Sequence, residues 1–435
     1  MDPLLIGGLG LGVMLALILL QVPIGFAMIA VGVGGFAWVV GDLGPALSIL
    51  ATEPASNMAS IDLAVVPLFL LMGSFATAGG LSSDIYSFAY AMMGHRRGGL
   101  ALATVGGCGL FGAICGSSPA TAATFGRVAL PEMLKRGYSQ SFAAGTIAAG
   151  GTLGSIVPPS VIMIIYAVVA EEFILALFVA AIIPAIIAVT LHMSAVVLYV
   201  RLNPEAGPAG PRLSWAERWA ATRASWAVIL LVLAVIGGIY GGVFTVNEAA
   251  AVGAALAFLF ALGRRRLTWS SFWRALLETA SNTAMIYVII FGASIFTYFI
   301  NVAHVPEAMT AWVQGLPLSP LAVIFVLLGI YIFLGCIFDT VSAMLITLPF
   351  VLPIVVGLGY DPIWWGIINV VVVELGMITP PIGINVFVLY SVARTIPLSQ
   401  IFRGVMPFVT ADVVRLTLLT LFPGLTLWLP RLFDM

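Results

Sequence analysis

The chain has 435 residues, 62% of them hydrophobic and 8% charged, with a mean hydropathy of +1.16. Soluble domains carry about 25% charged residues, and about 20 apolar residues in a row cross a bilayer, so this composition excludes a soluble domain and defines a polytopic protein embedded in lipid. The net charge of −1 offers no electrostatic footing for nucleic acid, and Cys108, Cys115 and Cys336 sit in apolar segments without metal or disulfide spacing, as small buried hydrophobes.

Residues 4–20 and 24–40 read as spanning helices joined at Gln21-Val22-Pro23; with no basic run ahead of residue 4, the first reads as a retained helix. Residues 41–62 hold Asp42, Glu53 and Asp62 without Lys or Arg and belong outside the hydrocarbon, before a span over 64–80 and an amphipathic connector ending at His95-Arg96-Arg97. Residues 99–115 go in, Gly116-Ser117-Ser118-Pro119 forms a tip, and 120–134 return to Lys135-Arg136. A helix over 140–170 is interrupted at 154–159, 173–200 span, and 201–223 form a Pro- and Arg-rich linker. Spans over 226–243 and 249–262 precede Arg264-Arg265-Arg266 and an amphipathic stretch with Trp269 and Trp273. The plan then recurs: a span over 280–300, an exposed loop over 301–320, an inward run over 321–338, a tip at Asp339-Thr340, a return over 341–356, and a helix over 361–392 interrupted at 376–381. A last span over 405–429 carries Asp412 and Arg415 three residues apart, as an internal ion pair.

The recurrence is an internal duplication. At one constant offset Leu130-Pro131 falls on Leu352-Pro353, Gly137-Tyr138 on Gly359-Tyr360, Leu153-Gly154 on Leu375-Gly376, Pro158-Pro159 on Pro380-Pro381 and Ser117-Ser118 on Asp339-Thr340, without a gap. Charge gives the orientation, because Lys and Arg accumulate on cytoplasmic loops. Threading the crossings puts all 17 Lys and Arg residues on one side except Arg127, Arg415 and Arg431, and it inserts the two copies upside down relative to each other. The expected fold is therefore an all-α polytopic integral membrane protein with inverted repeats, two re-entrant hairpins and two broken helices, whose repeated unit would move by an elevator or rocking motion against the remaining helices. Its parts are scaffold helices over 1–98, a first transport repeat over 99–172, scaffold with a cytoplasmic linker over 173–320, a second repeat over 321–394 and a C-terminal scaffold helix over 395–435.

Inverted repeats with broken helices build many secondary transporters, with solute and ion near mid-depth. Unwound backbone inside a bilayer costs several kcal/mol per bare group unless protein, water or an ion satisfies it. Each double proline removes two N–H donors, and Gly154 and Gly376 stand where a left-handed cap can end the preceding half-helix. Freed carbonyls beside hydroxyls suit Na⁺; the candidates are Ser117, Ser118, Thr121, Thr152 and Ser155 in the first copy and Asp339, Thr340, Ser342, Thr379 and Asn385 in the second. Half-helix N-termini attract an anionic substrate. Taken singly, a double proline can simply kink a helix, threonines in membrane helices often bond their own backbone, and 99–134 fits two full spans; the twofold recurrence favours hairpins. Asp339 is the strongest single candidate, as a carboxylate in an apolar run, although a water-exposed tip would also explain it. Glu374 reads equally as ligand, proton site or buried acceptor. Arg127 has the polarity to hold a carboxylate, but snorkelling or pairing with Glu132 is preferred. His192 and His304 are lone histidines, Glu171-Glu172 a solvated turn, and Trp312, Trp364, Trp365 and Trp428 belt residues. An intramembrane protease using Ser117 or Ser118 lacks a nearby His or Lys base and a GxSG-type run, so no enzyme is expected.

GSSPATAATFG, LPEMLKRGY, GSIVPPS and LPIVVGLGYDPIWWGIINVVVVELGMITPPIGINVFV together resemble the large membrane subunit of tripartite ATP-independent periplasmic (TRAP) transporters, across essentially the whole chain. The resemblance implies a Na⁺-driven elevator importer of organic acids, often carboxylates or sialic acid, in a bacterial or archaeal cytoplasmic membrane. It implies two partners: a small four-helix membrane subunit, here a separate polypeptide, and a soluble periplasmic binding protein that delivers the substrate. It places one sodium site at Ser117, Ser118, Gly151, Thr152 and Gly154, and another at Asp339, Thr340, Gly376 and Thr379. Substrate would lie between them, near Thr121, Arg127, Pro158, Pro159, Ser342, Pro380, Pro381 and Asn385. A stand-alone ion-coupled carboxylate carrier of related architecture is the alternative.

Overall fold

A computed structural model describes residues 2–433, and all regular structure among them is helical. Lipid offers the backbone no hydrogen bonds, so a chain this apolar pairs its peptide groups within helices. Six helices are long and apolar enough to cross a bilayer, or up to 9 if each sharply bent pair counts as one span. The shorter apolar helices likewise show apolar uncovered faces, as on Pro3–Leu19, where Leu4, Leu9, Val13 and Leu19 are all exposed.

Small residues set the helix crossings, because apolar side chains gain little by leaving lipid for one another. Ile24–Val40 lies along the 34-residue helix Trp269–Val302, and a Cβ on Gly25 would stand 2.6 Å from the Val288 carbonyl oxygen. Val65–Ala78 packs against Val246–Gly263, where Gly253 admits Met72. A second group surrounds Gln140–Ile156, which contacts the hairpin of Gly99–Cys115 and Ser118–Lys135 on one side and Leu398–Leu421 on another. There Gly145 meets Gly404 so closely that a Cβ on Gly404 would lie 1.8 Å from the Ser141 carbonyl oxygen. Ile174–Leu202 packs on Leu398–Leu421 in the same group.

The expected loop over 301–320 contains the helix Val305–Gln314, whose Val313 packs with Val323 and Ile354. The linker over 201–223 is in part the helix Trp215–Ala224, opened by a capping box in which Ser214 and Glu217 satisfy each other's backbone N–H groups. Residues 41–62 are largely the helix Leu43–Ala59, bent 68° from the helical stretch that follows. Trp312 and Trp428 are exposed as belt residues should be, but Trp364 and Trp365 are fully buried. Trp364 donates its indole N–H to the Leu419 carbonyl at 3.1 Å, and Trp365 stands edge-on to Tyr331 with ring centroids 5.6 Å apart. Trp364, whose N–H finds a partner inside, has no need of the interface, and Trp365 is held by ring packing with its indole N–H unpartnered.

Candidate functional site

The first tip begins where Gly99–Cys115 stops at Gly116, in the left-handed conformation (φ +62°) with its N–H on the Gly112 carbonyl at 2.7 Å. Glycine is required there twice over, since a Cβ would also stand 3.1 Å from the Val161 nitrogen. Ser117 is extended, Ser118 opens the helix Ser118–Lys135, and Thr121 donates its hydroxyl back to the Ser117 carbonyl at 2.8 Å. Gln140–Ile156 presses a glycine face onto this tip: a Cβ on Gly151 would fall 2.8 Å from the Ala122 Cβ, and one on Gly154 2.6 Å from Thr121 Oγ1. The helix ends at Val157 and restarts as Val161–Ala170, bent 41°. Pro158, Pro159 and Ser160 between the two halves are buried, and the Pro158-Pro159 peptide is cis. Gly154 is therefore not the left-handed cap expected of it; it lies inside the half-helix as a point of close approach, and Gly116 makes the left-handed turn.

In the second copy Pro320–Ile337 ends at the extended Phe338, and Asp339 caps the helix Thr340–Gly357. The Asp339 carboxylate accepts the Ser342 N–H at 3.3 Å and the Ser342 hydroxyl, so the strongest single candidate also has a local role as a helix cap. Pro362–Gly376 ends against Gly335, whose Cα would stand 2.6 Å from a Cβ on Gly376. The chain then runs through the cis Pro380-Pro381 bond and a left-handed Gly383 (φ +64°) into Ile384–Val392. Here too the left-handed residue is not the expected one, Gly376, but a glycine after the prolines. Several carbonyls at this break are satisfied within the chain: Pro380 O accepts from the Cys336 thiol at 3.2 Å, Met377 O from the Asn385 N–H at 3.1 Å and Cys336 O from the Gly383 N–H at 3.1 Å. Pro380 and Pro381 are exposed, whereas the first double proline is buried. Thr121, Thr152 and Thr379 all donate to carbonyls of their own chain segment, which leaves each hydroxyl only its lone pairs to offer a ligand.

The two tip-and-break segments meet in the interior. Asn385 donates to Ser118 Oγ at 2.6 Å and to the Ala148 carbonyl at 3.4 Å, and Thr340 donates to Glu374 Oε1 at 2.9 Å. The Ser118 and Ser155 hydroxyls face the same Glu374 carboxyl. All five residues are buried. The sequence placed Ser118, Ser155, Thr340 and Asn385 among the candidates and left Glu374 open, but it did not foresee that Glu374 joins them across the duplication.

Beside this centre lies a cavity of about 420 Å³ lined by Gly116, Ser117, Asp339, Thr340, Met377 and Asn282. An adjoining hollow of about 340 Å³ continues from Ser117 along Ser118–Lys135 to Arg127, opposite Arg274 and Glu278 of Trp269–Val302. Arg127 is exposed there and does not pair with Glu132, whose carboxylate lies 3.8 Å from Arg136 one turn on. Five residues separate Arg127 from Glu132, which puts them on different faces of the helix. Arg274, Glu278 and Asn282 were missed because an amphipathic stretch reads as a helix on the membrane surface. The available signal was Asn282, a polar residue just inside an apolar run.

Helical throughout, apolar outside and hollow at a polar centre, the chain is a multi-pass membrane transporter. The same fold occurs in MtrF of Neisseria gonorrhoeae, one of a class of antimetabolite efflux pumps, with a TM-score of 0.60 over 89% of this chain and 85% of that one at 15% identity. The chain belongs to the DctM component family of tripartite ATP-independent periplasmic transporters, whose model matches residues 11–425. The C4-dicarboxylate TRAP transporter large permease protein DctM of Pseudomonas aeruginosa is 39% identical over 86% of this chain and 87% of its own length. The isethionate TRAP transporter permease protein DctMQ of Oleidesulfovibrio alaskensis is 32% identical over 92% of this chain but only 63% of its own, longer sequence.

Proposed function

We propose that this chain is the large permease of a Na⁺-coupled importer of a small organic acid in the cytoplasmic membrane, fed by a periplasmic binding protein. One observation carries the reading: two tip-and-break units meet at Ser118 and Asn385 beside a hollow that holds Arg127 and Arg274. Oxygen-rich tips suit a hard monovalent cation, and two guanidinium groups suit a carboxylate. One sodium ion sits at Ser117, Ser118, Gly151, Thr152 and Gly154 and another at Asp339, Thr340, Gly376 and Thr379, with the substrate between them. The hollow runs from the first tip toward Arg127 and Ser271, the direction of the basic cytoplasmic segments, which fits an inward-facing state. Alternating access follows from an elevator movement of the two inverted hairpin-and-break units against Ile24–Val40 and Trp269–Val302. The longer DctMQ relative supports a small membrane subunit as a partner of the large permease.

The test is uptake into proteoliposomes holding the large and small subunits, with binding protein and a Na⁺ gradient. Asp339→Asn keeps a side-chain oxygen for the cap but removes the charge. It is expected to raise the half-saturating Na⁺ concentration at least about tenfold, the scale of a ~1.4 kcal/mol loss. Unchanged Na⁺ dependence removes Asp339 from the site, and uptake that ignores Na⁺ altogether sinks the coupling. Import by the large subunit alone would instead favour a stand-alone carrier.

A further inference from the structure

We propose that Glu374, together with Ser155 and Asn385, forms a further monovalent-cation site at the junction of the two repeats, beside the two tip sites. Glu374 is fully buried; one carboxylate oxygen accepts from Thr340 at 2.9 Å and the other has no hydrogen-bond partner. Ser155 Oγ and Asn385 Oδ1 are likewise buried and unpartnered. Native interiors leave only a few such atoms bare per hundred residues, and each costs about 1–3 kcal/mol. Here three of them lie on Gln140–Ile156, Pro362–Gly376 and Ile384–Val392, linked through the Ser118 hydroxyl, which accepts from Asn385 and faces the Glu374 carboxyl.

No Lys, Arg or His forms a salt bridge with Glu374 among the described residues. Arg415 acts on it only from a distance and is already paired with Asp412 at 3.0 Å. A buried carboxyl left without a counter-charge is neutralised by a proton or by a bound cation, and the bare oxygens beside this one favour the cation. Carboxylate, amide and hydroxyl oxygens form a hard, all-oxygen donor set suited to an alkali ion, and among the described residues no group of three or more His, Cys, Asp or Glu stands ready for a transition metal. Because Ser155 comes from the first half and Glu374 and Asn385 from the second, filling this site would tie the two breaks together, whereas each tip site lies within one half.

The experiment is equilibrium binding of ²²Na⁺ to the purified full-length chain with its small subunit in lipid nanodiscs. Glu374→Gln is expected to lower the number of Na⁺ bound per chain by one, with the remaining sites still filling. Ser155→Ala covers the case in which the glutamine variant does not fold, because removing an unpartnered hydroxyl breaks no hydrogen bond. It is expected to weaken one class of Na⁺ site about tenfold. An unchanged Na⁺ count in Glu374→Gln, or an unchanged isotherm in Ser155→Ala, overturns the proposal while leaving the tip sites intact. A wild-type chain that binds no Na⁺ overturns the coupling under Proposed function as well.

Discussion

Asp412→Ala is expected to destabilise the protein by about 3–5 kcal/mol, the cost of leaving a buried charge without its partner. Asp412 and Arg415 are buried one turn apart on Leu398–Leu421, with Arg415 Nη2 3.0 Å and His192 Nε2 2.9 Å from the same carboxylate oxygen. Removing the carboxylate strands a guanidinium that cannot lose its proton and frees a fully buried imidazole from Ile174–Leu202. Thermal unfolding of purified protein in detergent checks this, with Asp412→Leu/Arg415→Leu as the companion. Replacing both charges with apolar groups of similar size removes the penalty, so the double variant is expected to be clearly more stable than Asp412→Ala. Equal stability of wild type and Asp412→Ala would mean that water or lipid headgroups reach Arg415.

Half of that network was legible in the sequence. A spacing of three on an apolar helix brings Asp412 and Arg415 together, but nothing local to His192 announces a partner 220 residues away. The same division holds for the larger features. The tips and breaks could be read because proline and glycine act on the backbone locally, and their repetition at one offset excluded accident. Helix Val305–Gln314 could not, because ten residues, however amphipathic, are too short to stand as a helix until Val313 has Ile354 to pack against. The Ser214–Glu217 capping box was visible as S-x-x-E, yet the surrounding prolines and arginines outweighed it. The tryptophan pair Trp364-Trp365 failed for a different reason: composition says a residue is amphipathic but not which helix covers it.

The centre was legible as a set of residue types and not as a set of distances. Ser118 and Asn385 stood out as polar residues beside a tip and a break. Their mutual hydrogen bond depends on how the two copies dock, and a chain read in one dimension carries no record of that. The glycines show the limit most clearly. Gly154 and Gly376 matched each other in the duplication and were assigned left-handed turns. The fold instead gives those turns to Gly116 and Gly383 and uses Gly154 and Gly376 to let helices touch. Both uses require a missing side chain, so sequence alone cannot separate them.

Gly154→Ala is accordingly expected to abolish transport, cutting uptake at least about tenfold, even though alanine favours helix over glycine by about 1 kcal/mol. The added methyl would fall 2.6 Å from Thr121 Oγ1 and 2.8 Å from the Ser117 carbonyl oxygen, closer than real contacts of that kind come. The Thr121 side chain can rotate away, but the Ser117 carbonyl belongs to the backbone of the tip and moves only if the tip moves. A left-handed cap at residue 154 would predict a different outcome, in which alanine strains the local backbone and asparagine is tolerated. With the close-approach geometry asparagine, being larger, is worse than alanine. Thr121→Ala combined with Gly154→Ala relieves the nearer clash and leaves the carbonyl contact, so it is expected to restore activity only in part. Uptake in proteoliposomes, beside thermal unfolding in detergent, separates the effect on the tip from any loss of fold. Wild-type uptake by Gly154→Ala would show that the first hairpin does not need to rest against the broken helix for solute to cross.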